Sequence, residues 1–279
     1  MNIGIVGLGL IGGSLARAYR KDGHTVYGFD TDDAILGFAQ LSDVVCGVLD
    51  EASMRLCDAV IIAVNPGDAV AYLETAAPRV EKNTIVFDCC GVKRFVCERC
   101  FPLAERYGFT FVGGHPMAGN HMAGFKNSRA NLFRVASMIL VPPVYDDAAL
   151  FGRIEDLLRP VGFGRLTVTT AEKHDEMIAF SSQMAHVVSN AYIKSSTAQG
   201  HKGFSAGSYQ DLTRVARLNA AMWAELFIEN SECLIHELDV FLEAVTRYRD
   251  ALAACDRAGL EALLEEGSRI KKELDHKPD

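Results

Sequence analysis

Two short segments of this chain carry residue types that can do chemistry. The first is Gly7-Leu8-Gly9-Leu10-Ile11-Gly12, a glycine-rich turn directly after an apolar run at residues 2–6. In that context Gly7 permits the tight turn, Gly9 lets the backbone approach a pyrophosphate, and Gly12 lets the following helix pack on the strand. The N-terminus of that helix faces the phosphate charge. Asp30 ends the next apolar run, at residues 25–29, where an acid accepts hydrogen bonds from adenosine ribose hydroxyls; capping a turn is the alternative. A carboxylate there repels a 2′-phosphate, Thr31-Asp32-Asp33 adds negative charge and no arginine follows, which favours NAD over NADP. The cofactor site is expected to comprise Gly7, Leu8, Gly9, Leu10, Ile11, Gly12 and Asp30, with Val64, Asn65 and Cys89 further along the chain.

The second segment is Gly113-Gly114-His115-Pro116-Met117-Ala118-Gly119. His115 is predicted to follow directly on a strand at 110–112, at the carboxyl edge of a sheet, where open α/β folds bind ligands. Neutral imidazole takes a proton near neutral pH, as hydride removal from an alcohol requires. His115 is therefore the catalytic candidate. Gly113, Gly114 and Gly119 are read as leaving space for a bulky ligand, and Pro116 as stiffening the turn.

Further on, His174, Ser182, His186 and Asn190 recur at multiples of four and share one face of a predicted helix over 171–197. Met177, Met184, Val187 and Ala191 supply apolar surface beside them. A cleft wall and a solvated face are both open readings. Arg214 can offer a forked guanidinium to a carboxylate, or pair with Asp211 or Glu225 on the surface. Cys97-Glu98-Arg99-Cys100 matches a redox or zinc pattern, with Cys89-Cys90 nearby. No second such pair completes a four-ligand site, so no metal is expected.

The elements that must position these residues follow from the apolar pattern. Short runs at 2–6, 25–29, 59–64, 84–87, 110–112, 138–141 and 165–169 alternate with helix-length segments, the first at 10–21. That indicates βαβ units and a mostly parallel sheet. After residue 170 the character changes. Residues 171–197 lack glycine and proline and read as one helix, a small-residue loop spans 200–208, and the chain looks helical from about 211 almost to its end. Leu226, Phe227, Leu234, Ile235, Leu238, Phe241 and Leu242 are spaced for burial, and 265–279 reads as a frayed, charged tail. The expected fold class is α/β, a Rossmann-type dinucleotide-binding domain over 1–170, followed by an all-α domain over 171–279. An elongated helical domain cannot bury its apolar stripes alone, so a homodimer through these helices is expected.

A chain of 279 residues, 49% hydrophobic, holds one large domain or two ordinary ones. Its net charge of −8 argues against a nucleic-acid partner. No apolar run reaches the ~18–20 residues that span a bilayer, so no membrane partner is expected. Met1 stands one residue ahead of the first strand, which leaves no room for a targeting segment. The expectation is a cytoplasmic protein whose eight cysteines are reduced.

Over nearly its whole length the chain resembles the prephenate/arogenate dehydrogenase family of tyrosine biosynthesis. Gly114-His115-Pro116-Met117-Ala118-Gly119 carries most of the resemblance. Asp88-Cys89-Cys90-Gly91-Val92-Lys93 lies upstream, and Ser182-Gln183-Met184-Ala185-His186 and Asp211-Leu212-Thr213-Arg214 downstream. Asn219-Ala220-Ala221-Met222-Trp223 and Asn230 follow. The resemblance implies oxidative decarboxylation of prephenate to 4-hydroxyphenylpyruvate with NAD, L-arogenate being the alternative substrate. It implies that His115 hydrogen-bonds the ring hydroxyl and helps take its proton, that Arg214 binds a substrate carboxylate, and that His186 lines the pocket, with Ser182 and Gln183 beside it.

The sequence departs from the family pattern around the substrate. Gly91 stands where a serine is common, with Cys90 or a water as candidates for its task. Gln183 replaces a second histidine, Ala185 a proline, His121 an acid and Gln210 a basic residue. These changes bear on prephenate against arogenate and leave His115 and Arg214 untouched. A β-hydroxyacid dehydrogenase is a remoter reading, but it wants lysine before asparagine on the helix, and here Asn190 precedes Lys194. A non-catalytic NAD sensor need not keep His115 and Arg214. No appended amino-acid-binding module or fused mutase is expected, and tyrosine is a candidate inhibitor at the substrate pocket.

Overall fold

The computed structural model describes residues 1–119 and 123–276. His121, singled out above, lies outside the described residues. The strands are β1 Asn2–Val6, β2 Thr25–Phe29, β3 Gly47–Val48, β4 Ala59–Ile62, β5 Ile85–Asp88, β6 Thr110–Pro116, β7 Ser137–Val141 and β8 Arg165–Val168. The helices are α1 Leu10–Lys21, α2 Asp33–Leu41, α3 Glu51–Met54, α4 Pro66–Ala76, α5 Arg94–Tyr107, α6 Ala148–Leu158, α7 Ala171–Ile178, α8 Ala185–Tyr192, α9 Gly207–Thr213, α10 Ala220–Glu229, α11 Ser231–Ala253 and α12 Arg257–Asp275.

Among the described residues the strands form one sheet in the order β3-β2-β1-β4-β5-β6-β7-β8. Every pairing is parallel except β6 with β7. The order reverses at β1, which opens a crevice at the carboxyl ends of β1 and β4. Central strands covered on both faces read as continuous apolar runs, and β4 and β5 are buried throughout. Their period-two alternation feeds two cores. Ile3, Ile5, Ile61, Ile85 and Phe87 enter one, with Leu15 and Tyr19 of α1. Val6, Val60, Ile62 and Val86 enter the other, with Leu73 of α4 and Val96 of α5.

Four expectations need correction. First, His115 does not follow a strand; it lies inside β6, opposite Ile139 of β7. Gly113 and Gly114 are strand residues, and they hold no space for a ligand. A Cβ on Gly113 would stand 2.7 Å from Cys97 Sγ, and one on Gly114 2.3 Å from the Asp88 carbonyl oxygen. These glycines allow close packing. Second, the helix from 171 is interrupted by a π-helical turn, Ala179–Met184, and its last α-helical residue is Tyr192. The extra residue per turn breaks the multiple-of-four face: His174 and Gln183 are buried, whereas Ser182 and His186 are half-buried. Third, the chain after 211 is not continuously helical, because α9 ends at Thr213 and α10 starts only at Ala220 behind its Asn219 cap. Fourth, residues 265–275 belong to α12. Their charges pair one turn apart, Arg269 with Glu273 at 3.0 Å and Lys271 with Asp275, which supports an exposed helix.

The described chain forms two compact units, Met1–Ser231 and Glu232–Asp279. The second is a helical hairpin of α11 and α12. Tyr248 Oη donates to the Leu263 carbonyl at 3.2 Å, and Arg247 pairs with Glu266 at 3.2 Å. Asp256 caps α12 by accepting from Gly259 N–H. Val240, Leu242, Leu252, Leu264 and Leu274 of this unit are each more than half exposed. Among the described residues no helix is long and apolar enough to cross a membrane.

Candidate active site

The expected cofactor residues sit at the carboxyl ends of four adjacent strands: Gly7 after β1, Asp30 after β2, Val64 and Asn65 after β4, and Cys89 after β5. Gly7 has φ +83°, and a Cβ there would strike Val64 Cγ1 at 2.5 Å. A Cβ on Gly12 would lie 1.8 Å from the Gly7 carbonyl oxygen, so α1 is seated directly on the turn. A Cβ on Gly9 meets nothing within 4 Å. Helix α1 begins there with no side-chain cap and no acid in its first turn. An uncapped helix N-terminus opening on free space suits an anionic phosphate group. Leu8 is buried, while Leu10 and Ile11 are half-exposed. Asp30 accepts from Leu8 N–H at 2.7 Å and from Asp32 N–H at 2.9 Å, so its carboxylate braces the turn. These residues fit a dinucleotide.

Beyond the Val112 pairing with β5, β6 parts from β5 and pairs with β7 from Gly113 to Pro116. Asp88, at the end of β5, fixes that extension. It accepts from Gly114 N–H and Cys90 N–H, each at 2.9 Å, and is ion-paired with Lys93, whose ammonium also donates to the Gly114 carbonyl at 2.6 Å. Burial is the largest single influence on Lys93 and pulls its pKa down, but Asp88 together with Cys90 and Cys97 more than offsets it and holds the ammonium above its ordinary value. Removing one partner of such a fully buried pair costs about 3–5 kcal/mol.

His115 is half-buried. Its Nδ1 lies 2.9 Å from Nε2 of His174, and His174 Nδ1 lies 2.7 Å from Asp175 Oδ1. Asp175 also accepts from the main-chain N–H of Lys93 at 2.7 Å and of Arg94 at 2.9 Å, capping the start of α5. Burial, then the nearby His174 and Lys93 charges, hold the His115 pKa well below the usual histidine range. Burial also lowers His174, against the opposing pull of Asp175. Neutral imidazole, the form that accepts a proton, is therefore favoured at His115.

Among the described residues the contacts of His115 are with His174, and the remaining expected residues make theirs elsewhere. His186 Nδ1 donates to the Ser182 carbonyl at 2.9 Å, and its ring stacks on Trp223 with centroids 3.9 Å apart. Gln183 is buried; its amide donates to the Leu226 carbonyl and accepts from Asn230, which also donates to the Asp175 carbonyl. Its amide is thus spent on tying the π turn to α10. Arg214 is exposed and, among the described residues, forms neither surface pair, with Asp211 or with Glu225. Glu225 instead accepts from Gly67 N–H at the start of α4 at 2.9 Å. Leu226 lies against Gly91, where a Cβ would approach it to 3.2 Å. Helix α10 thereby covers the carboxyl edge of β4 and β5. Cys90, one candidate for the task of a serine at position 91, is buried, with Sγ on the Val64 carbonyl. Cys97 and Cys100 face the core from α5, and burial raises both thiols, Cys100 to about 12.

Sequence reasoning placed His174 on a polar stripe but missed its pairing with His115, missed Asp175, and singled out the segment from Asp88 to Lys93 without pairing its two ends. The adjacent His-Asp at a helix start and the acid-to-lysine spacing of five were the available signals.

Residues 15–167 match the family model described as prephenate dehydrogenase, nucleotide-binding domain, and residues 170–266 match prephenate dehydrogenase, dimerization domain. The cyclohexadienyl dehydrogenase of Zymomonas mobilis is 31% identical over 91% of this chain and 89% of its own. The prephenate dehydrogenase of Bacillus subtilis is 28% identical over 88% and 68%. The crystal structure of prephenate dehydrogenase from A. aeolicus, in complex with hydroxyphenyl propionate and NAD+, superposes with a TM-score of 0.83 at 24% identity, covering 98% of each chain. A nucleotide-binding α/β domain with a largely parallel sheet, followed by a helical domain, is the architecture of both. The chain belongs to the prephenate dehydrogenase family.

Proposed function

We propose that this protein is an NAD-dependent prephenate dehydrogenase of L-tyrosine biosynthesis, with His115 as its catalytic base. The observation that carries the reading is a half-buried imidazole at the carboxyl end of β6, hydrogen-bonded to His174 and with its pKa held well below the usual histidine range by burial, on the same edge of the sheet as the open glycine turn. Gly7, Leu8, Gly9, Leu10, Ile11 and Gly12 would hold the pyrophosphate, and Val64, Asn65 and Cys89 would line the cleft. Asp30 would take the ribose, since a carboxylate has about four acceptor sites and two N–H groups leave room. When bound, the nicotinamide ring supplies the hydride acceptor. Asp30, with Asp32 and Asp33 behind it, disfavours the 2′-phosphate of NADP.

His115 takes the ring hydroxyl proton as hydride leaves the carbinol carbon. Carbon dioxide leaves the opposite carbon, its bonding pair completes the aromatic ring, and the proton returns to the phenol oxygen. The net products are 4-hydroxyphenylpyruvate, carbon dioxide and NADH. Arg214, whose guanidinium forms no ion pair among the described residues, binds a substrate carboxylate, and His186, steadied by Trp223, lines the pocket with Ser182. Gln183 acts from behind, through the π turn. Positioning and charge placement supply most of the rate.

The proposed domains are 1–170 and 171–279, the protein working as a cytoplasmic homodimer through its C-terminal helices. The exposed leucines of α11 and α12 and the dimerization-domain match support that assembly. L-arogenate is the second reading, favoured by the broader substrate name of the Zymomonas relative. The test crosses prephenate and L-arogenate with NAD+ and NADP+ and follows NAD(P)H absorbance. Turnover of prephenate with NAD+ is expected. Turnover of arogenate alone reassigns the substrate, and no turnover by folded protein overturns the reading.

A further inference from the structure

We infer that His174, backed by Asp175, is a positioning residue that fixes the tautomer of His115, so that Nε2 of His115 is the bare nitrogen offered to substrate. The inference rests on the proposed role of His115 and deepens it. Both oxygens of Asp175 accept main-chain N–H groups, from Lys93 and from Arg94. The carboxylate has no proton to give, so across the 2.7 Å contact His174 Nδ1 is the donor. A neutral His174 with its proton on Nδ1 has a bare Nε2. That nitrogen faces His115 Nδ1 at 2.9 Å, and one of two nitrogens in such a contact must donate. The donor is therefore His115 Nδ1, and its Nε2 is left unprotonated.

The same chain answers what happens next. When His115 Nε2 takes the hydroxyl proton, the imidazolium keeps its Nδ1–H on His174, whose far side rests on the Asp175 carboxylate. A histidine side chain free in water prefers the opposite tautomer, with the proton on Nε2. A His115 released from His174 would present a donor where the reaction needs an acceptor. Both His174 and Asp175 have fully buried side chains, so the arrangement is shielded from competing water. Their place at the start of α7 is set by the Thr170 cap, and Asp175 is locked by its capping of α5.

The experiment is long-range 15N–1H correlation on histidine-labelled protein, assigned by single substitutions, with kinetics alongside. In the wild-type protein, His115 and His174 are both expected to carry the proton on Nδ1. H174F removes the acceptor; it is expected to move the His115 proton toward Nε2 and to lower kcat by about 10²–10⁴-fold, as loss of the working tautomer does, with KM for prephenate within about twofold. H174Q can place an amide oxygen near the lost Nε2 and is expected to recover at least about tenfold of that loss. A wild-type His115 protonated on Nε2 overturns the inference without any variant. So does folded H174F with full kcat. Failure of the wild-type protein to turn over either substrate would instead remove the functional reading, while the tautomer measurement still decides the geometry.

Discussion

Two glycines of the first turn make opposite demands, and replacing each by alanine separates folding from cofactor binding. At Gly12 a Cβ would lie 1.8 Å from the Gly7 carbonyl oxygen, where real Cβ contacts do not fall below 3.0 Å. The two backbones must part by the difference, 3.0 − 1.8 = 1.2 Å. Overpacking of this kind costs about 1–3 kcal/mol, or roughly 2–4 °C of Tm for each kcal/mol in a chain of this size. At Gly9 the backbone has φ −73° and a Cβ meets nothing within 4 Å. Gly9→Ala should therefore fold normally, gaining about 0.4–1 kcal/mol from the stiffer unfolded chain. Its methyl group would occupy the space in which the pyrophosphate must approach the helix N-terminus. Loss of one hydrogen bond to a charged phosphate is worth about 1.5–3 kcal/mol, which raises Kd roughly 10- to 140-fold. Calorimetric titration with NAD+ and thermal unfolding of both variants read the two effects. NAD+ binding by Gly9→Ala at the wild-type Kd refutes the placement of the pyrophosphate. An unchanged Tm in Gly12→Ala refutes the packing argument.

Other outcomes follow from the same geometry. Arg214→Ala should raise KM, with a loss of about 1.5–3 kcal/mol in kcat/KM for a charged hydrogen bond at an exposed group; a wild-type KM removes Arg214 from the pocket. Burial and the neighbouring Glu225 raise Glu229 to about 7. At pH 8 its charged form is disfavoured in the folded state relative to the unfolded one, and below about pH 5.5 the folded group is neutral. E229Q should therefore raise Tm more at pH 8 than at pH 5.5, and an equal shift at both contradicts the assignment. Sedimentation at micromolar concentration should show a dimer; a strict monomer sinks the role given to α11 and α12.

How much of this was legible in the sequence depends on how local each cause is. The β1-turn-α1-β2 unit was readable because apolar runs, three glycines and Asp30 all lie within thirty residues. The strand carrying His115 was cut short because Gly113 and Gly114 look like loop residues. Their true constraints, Cys97 Sγ and the Asp88 carbonyl, come from other elements. The π turn had no signal in a segment free of glycine and proline. Its extra residue goes with the amide of Gln183 reaching Leu226 and Asn230, more than forty residues away. The His115–His174 contact joins residues 59 apart through tertiary packing alone. The edge strand β3 has two residues and falls below any pattern. In the tail, charge was read as disorder, although its signs alternate at helical spacing.

The central claim is that His115 is a neutral base with its pKa held down by burial. It is tested most directly by the pH profile of kcat/KM for prephenate in the wild-type protein and in H115N. Only unprotonated His115 can take the hydroxyl proton, so activity falls as pH drops through its pKa. The acid limb is expected below the ordinary histidine value of 6.5. H115N should lose that limb and about 10²–10⁴-fold of turnover. Unchanged turnover in H115N, or an acid limb that persists unaltered without the imidazole, contradicts the account.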